Sequence, residues 1–241
     1  MKHLLVLFFI FFSLAELHAS DSCKVIRRVY MIPGQGSDSR IFKNITIEGK
    51  EVVLLEWVMP EKNETMNSLA RRMAAQIDTT VPFAIVGVSL GGMVACEMNL
   101  FLNPQKVIII SSAGERNEIP LRYRFMKYVP VYKIIPARLI KSSARFAQSM
   151  VEPDRSNEAA TCNAMLESKN KLFLKRSIHC IANWNPPPMD TTNIIHIHGS
   201  NDHTLPIRFV KADYAIKDGS HMMTLTRGKE ISALLNELLC E

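Results

Sequence analysis

No period of about 20 to 50 residues recurs in the sequence, no low-complexity tract interrupts it and no Gly/Ser-rich linker divides it, which excludes repeat arrays and tethered modules. No nucleic-acid motif and no interleaved aromatic platform accompanies the basic residues, so nucleic acid is not an expected partner. Metal-ligand spacing is missing as well. His196 and His198 alternate along an apolar run and so share one face, but no motif places a third ligand beside them, and neither a metal nor an organic cofactor is expected. Cysteine is sparse, with five in 241 residues, and the odd count leaves at least one unpaired.

The apolar stretch from Leu4 to Leu14 falls short of the ~20 residues that a membrane-spanning helix needs. With Lys2 and His3 before it and Ala19-Ser20 after it, residues 1–19 read as a cleavable export signal. Ser20-Asp21-Ser22 ahead of Cys23 does not resemble a lipoprotein box. Export to a periplasmic or extracellular space would permit disulfides. The expected pairs are Cys162 with Cys180 and Cys23 with Cys240, while Cys96 reads as a small buried hydrophobe.

What is present is core-forming material. The chain is 47% hydrophobic and long enough for one sizeable domain, residues 20–241. Runs rich in Val, Ile and Leu predict strands over 28–32, 51–57, 83–88, 106–112 and 193–198, with a weaker one over 211–216. Their near-continuous apolar character is that of strands buried on both faces of a parallel sheet. Helical periods lie between them over 66–77, 91–102 and 229–239. This alternation predicts an α/β fold with a mostly parallel central sheet flanked by helices.

About eighty residues separate the 106–112 run from the 193–198 run, too many for a structureless loop. Their content predicts short amphipathic helices broken at Pro130 and Pro136, a helical cap inserted at about 115–190. The charge is concentrated there. Residues 119–178 hold twelve Lys or Arg against four Asp or Glu, a local +8 that exceeds the +6 of the whole chain. Such a stretch is either a solvated helical surface or a device that steers an anionic substrate or contacts an anionic membrane surface.

The most specific stretch is Ile85 to Ala95, IVGVSLGGMVA, a strand, a tight turn and a buried helix. A serine hydroxyl is a poor nucleophile unless it is presented to the substrate with its proton aimed at a base. A sharp strand-to-helix turn does the presenting, and small neighbours such as Gly87 and Gly91 permit its strained backbone. A plainer reading makes Ser89 only a helix N-cap. Downstream, Asp202 follows the 193–198 strand in a polar loop, and His221 lies in a Gly-Ser turn before the last helix. Ser89, Asp202 and His221 thus each stand just past the carboxyl end of a strand, the edge where open α/β sheets gather their chemistry.

These residues resemble the α/β-hydrolase family, with Gly87-Val88-Ser89-Leu90-Gly91 as nucleophile elbow, Asp202 as acid and His221 as base. The resemblance runs from about Val29 to Leu239 and takes in the loop YMIPGQGSD, where Pro33-Gly34 replaces a His-Gly pair. It implies an oxyanion hole made by the backbone N–H groups of Gln35 and Leu90, a cap of the kind predicted above, and a small-molecule acyl substrate. The implied activity is hydrolysis of a carboxylic ester or related acyl bond through an acyl-enzyme on Ser89. Thioesterase, lactonase, acyltransferase and lipase chemistry, or a non-catalytic ligand-binding homologue, are alternatives on the same fold. Glu115, after the 106–112 strand, competes with Asp202 for the acid role, and His203 reads as a solvated neighbour.

Overall fold

The computed structural model describes residues 26–151 and 155–240. The expected signal segment and Cys23 lie outside the described residues. Six strands form one sheet in which every neighbouring pair is parallel: β1 (Arg28–Ile32), β2 (Glu51–Leu54), β3 (Phe83–Val88), β4 (Lys106–Ile110), β5 (Ile194–Gly199) and β6 (Tyr214–Ile216). Their spatial order is β2-β1-β3-β4-β5-β6. Each step from strand to parallel strand needs a crossover. Helices α1 (Met66–Met73), α2 (Leu90–Leu102), α7 (Met223–Thr226) and α8 (Gly228–Cys240) belong to the body, and α3 (Leu121–Phe125), α4 (Ala137–Val151), α5 (Ala159–Ser168) and α6 (Lys171–Asn183) lie between β4 and β5.

The alternation of side chains along a strand divides the interior in two. Tyr30, Ile32, Ile85 and Ile109 face a core closed by α1 and α2, whereas Val29, Met31, Val86, Ile108 and Ile110 face a core closed by α7 and α8. All six residues of β3 are buried, as is α2 from Leu90 through Met98. The sheet's centre and the helix that follows Ser89 are therefore the best-shielded parts of the molecule. In α8, Ile231, Leu235, Leu238 and Leu239 recur at helical spacing and supply the buried stripe.

Four elements are shorter than their apolar runs predict: β4 stops at Ile110, ahead of Ser111 at φ 48°, and in β2, β6 and α1 the backbone finds another partner. Strand β2 is an edge strand with Val52 and Leu54 exposed. After the Leu55 N–H bonds Met31 O, the Glu56 N–H turns to the Gln76 side chain, 3.1 Å away. Strand β6 begins at Tyr214 because the Lys211 N–H is taken by Glu118 Oε1 at 2.8 Å. Helix α1 tightens into a 3-10 turn over Ala74–Gln76, and Ile77 is extended.

The cysteine pairing needs correction. Cys162 sits in the core on the α8 side of the sheet and Cys180 in the core on the α2 side, so the expected Cys162–Cys180 bridge does not form. Burial pushes the Cys96 and Cys180 thiols up to about 12, leaving them protonated and unreactive. Cys240 is in a disulfide; Cys23, its expected partner, is outside the described residues.

Helix α6 ties the inserted helices to the body. Arg176 donates to Pro60 O (2.9 Å), Cys180 Sγ to Glu64 O (3.3 Å) and Trp184 Nε1, just beyond the helix, to the buried Glu97 on α2 (2.7 Å). Several of the basic side chains serve this packing. Lys175 donates to Lys133 O and Ile135 O, and Lys141 to Lys169 O at 3.0 Å, so they neutralise unpaired carbonyls between helices.

Candidate active site

Ser89 joins β3 to α2 with φ 53° and ψ −120°, a backbone state that costs a non-glycine residue about 1 to 3 kcal/mol. The surroundings enforce it. The Ser89 N–H bonds Ile110 O on β4 at 2.9 Å, and Ser112 Oγ donates to Ser89 O at 2.7 Å. Any side chain at Gly91 would overlap the carbonyls of Ile32 and Pro33 on the neighbouring strand end, and one at Gly87 would overlap Gly91 itself. The turn is therefore closed by backbone meeting backbone, which only glycine permits.

Ser89 does not cap α2. Its Oγ instead lies 2.9 Å from His221 Nε2, and His221 Nδ1 lies 2.7 Å from Asp202 Oδ2. A carboxylate only accepts, so the imidazole hydrogen sits on Nδ1 and Nε2 is left to accept the serine proton. Asp202 is 3% exposed. Burial alone would raise its carboxyl, but the His221 ring beside it, hydrogen bonds from His198 and His221, and the Leu205 N–H hold it below the usual carboxylate range. Its second oxygen, Oδ1, accepts from the N–H groups of Thr204 (2.8 Å) and Leu205 (2.7 Å), which fixes the carboxylate plane.

Glu115 stands elsewhere. Its partly exposed carboxylate lies 3.7 Å from Lys211 Nζ, in a rear cavity of about 690 Å³ with Glu118, His196 and Asp213. His203 is exposed and donates to Asn201 Oδ1 at 2.8 Å. His196 and His198 bond each other at 3.0 Å, and His198 Nε2 donates to Leu205 O at 2.7 Å while lying 3.4 Å from Asp202 Oδ2. Burial, then the adjoining His198, pushes His196 down to about 3. With its Nε2–H given to the Leu205 carbonyl, His198 accepts the His196 Nε2–H at Nδ1, so the two rings buttress the Asp202 loop.

Ser89 and His221 open into a cleft of about 580 Å³, walled by Gly34, Gln35, Tyr123 and Leu166 among others. Leu90 opens α2, so its N–H has no acceptor within the helix and points with the positive end of the dipole toward the serine. Gln35 is brought to the same cleft, but its side chain crosses to α6, donating to Leu174 O (3.0 Å) and Ser177 Oγ (2.8 Å).

One residue escaped sequence reasoning, and a second, Gln35, has a side-chain role beyond the backbone N–H expected of it. Arg122 reaches from α3 to the carbonyls of Thr204 (2.5 Å) and His203 (3.3 Å), joining the inserted helices to the acid loop at the rim of the cleft. Gln35 is a link to α6 as well as a wall of the cleft. The basic run around Arg122 was visible, but nothing local distinguished this arginine from its neighbours. Among the described residues, no group of three or more His, Cys, Asp or Glu is placed to hold a metal ion.

No family model matches the sequence, and no curated protein matches it. Solved structures do. A thermophilic esterase from Thermogutta terrifontis is similar at TM-score 0.63 and 16% identity over 88% of this chain and 89% of that one. The enol-lactonase from Burkholderia xenovorans is similar at TM-score 0.66 and 11% identity over 90% and 92%. MenH from S. aureus is similar at TM-score 0.64 and 14% identity over 88% and 93%. At these identities the likeness establishes architecture: the chain has the α/β-hydrolase fold.

Proposed function

We propose that the protein is a serine hydrolase that cleaves a carboxylic ester or a related acyl bond through an acyl-enzyme on Ser89. The observation that carries this reading is the unbroken hydrogen-bonded line from Ser89 Oγ through His221 to Asp202, opening into a cleft. Two of the similar structures are named an esterase and an enol-lactonase, which supports an acyl bond as the target.

In this mechanism Ser89 Oγ attacks the acyl carbon while its proton passes to His221 Nε2. The imidazolium returns that proton to the departing oxygen, and Asp202 stabilises the charged ring and keeps its orientation. The oxyanion is held by the N–H groups of Leu90 and Gln35; losing one such donor typically raises the barrier by about 2.7 to 4 kcal/mol. Water, deprotonated by His221, then attacks the acyl-enzyme, releases the acid and restores the Ser89 hydroxyl.

The test is the intact mass of the protein after exposure to a fluorophosphonate, beside Ser89→Ala and His221→Ala variants. A single adduct on the parent, absent from both variants, is expected. A folded parent that takes no adduct would sink the reading and favour a ligand-binding protein on the same fold.

A further inference from the structure

The inserted helices expose a surface that the hydrolase reading does not use. Residues 119–151 contain seven Lys or Arg and no Asp or Glu. Over the same stretch large apolar side chains stand in solvent: Leu121 is 67% exposed, Phe125 60%, Tyr128 76%, Ile134 83% and Leu139 54%. Isolated exposed apolar residues are ordinary, but a concentration of them marks an interaction surface. These are concentrated. Leu121 and Phe125, one helical turn apart on α3, line a groove of about 680 Å³ with Tyr128, and its other walls include Arg122, Arg124 and Lys127.

The charge identifies the occupant. Among the described residues no carboxylate pairs with Lys127, Lys133 or Arg138, so their charge faces outward uncompensated. A second copy of the chain would set this acid-free surface against an identical one, like charge on like charge, which disfavours self-association. A basic surface interleaved with aliphatic and aromatic side chains fits a layer that is anionic at its face and apolar just beneath it.

We propose that the surface formed by residues 121–139 docks the protein on an anionic lipid bilayer, with Lys127, Lys133 and Arg138 at the headgroups and its apolar side chains in the interfacial layer. Arg122 borders both the groove and the Ser89 cleft, so docking sets the mouth of the cleft beside the membrane. On the hydrolase reading, to which this last consequence alone is tied, the substrate is an amphiphile presented from that layer.

The experiment is flotation of the full protein with vesicles of phosphatidylcholine, and with vesicles of equimolar phosphatidylcholine and phosphatidylglycerol. Binding to the mixed vesicles is expected to exceed binding to the neutral ones by at least about tenfold and to weaken as salt rises. Each Lys or Arg near an anionic surface is worth about fivefold in affinity, so Lys127→Glu with Lys133→Glu should weaken it by about 25-fold or more. Ile134→Asp, at a side chain too exposed to support the fold, should weaken binding to the mixed vesicles without removing any positive charge. Failure to bind mixed vesicles, or equal binding by these variants, overturns the proposal. So does a concentration-dependent dimer, seen in sedimentation of the parent and lost in the variants. Ser89→Ala should bind as the parent does, so a protein that floats but takes no fluorophosphonate would refute the hydrolase reading and leave membrane docking standing.

Discussion

His196 offers a quantitative handle on the polar core behind the site. Its ring is 4% exposed, and burial, with the His198 ring next to it, lowers its pKa from 6.5 to about 3. As pH falls below 6.5, the unfolded chain takes up a proton here while the folded chain waits until near pH 3. The unfolded state binds more protons throughout that window, so stability is full above pH 6.5 and declines as pH drops. Between pH 7 and pH 5 this single group should remove about 2 kcal/mol, rising to about 4 kcal/mol near pH 3. His179, also lowered by burial, acts in the same direction, so the measurement must be a difference. His196→Gln keeps an N–H at the position of Nε2, able to donate to His198, and does not titrate. With a urea m-value of about 2 kcal/mol/M, the parent's midpoint should fall by about 1 M more than the variant's when pH is lowered from 7 to 5. Equal shifts in parent and variant would refute the argument, because they would mean that the folded His196 ring titrates as freely as the unfolded one.

The other expectations concern the site and its supports. Asp202→Asn should slow fluorophosphonate labelling of Ser89 by up to about 10⁴-fold, while Glu115→Gln, whose parent side chain lies beside Lys211 rather than His221, should leave the rate unchanged; the reverse pattern would move the acid to Glu115. At Gly92 an added Cβ would overlap the Ser112 side chain that holds Ser89 O, so Gly92→Ala should cost about 1 to 3 kcal/mol in urea titration and slow labelling as well. Gln35→Ala removes two hydrogen bonds to α6 and should cost about 1 to 3 kcal/mol. It should also speed amide hydrogen exchange in α6, a change absent if that helix is secured by Arg176 and Trp184 alone.

Legibility in the sequence followed the range of the interactions. Strands β1 and β3 match the apolar runs that predict them because residues buried on both faces leave an unbroken Val, Ile and Leu signal. The runs at 51–57 and 211–216 overstate their strands, since strand length at a sheet edge depends on what else the backbone can bond. Gln76 and Glu118, the side chains that end β2 and delay β6, are distant in sequence from the N–H groups they capture. The turn at Ser89 was legible because its constraint is local, with Gly87 and Gly91 required where backbone crowds backbone. Cysteine pairing was not, because nothing in the spacing of Cys162 and Cys180 tells that the sheet lies between them.

The supports of the site sit at the far end of this scale. His196 and His198 alternate on a strand, a spacing that a metal site and a ring-to-ring hydrogen bond share equally. Here His198 gives its Nε2–H to the Leu205 carbonyl and takes the His196 N–H at Nδ1, so both of its ring nitrogens are committed within the protein. Arg122 is likewise one of many cations in an acid-free run, and its function follows only from the Thr204 carbonyl it reaches across 82 residues. Ser89, Asp202 and His221 each carry a local signature because each sits at a turn after a strand. The groups that hold them in place need only to arrive there, and any residue with a donor of the right length satisfies that demand.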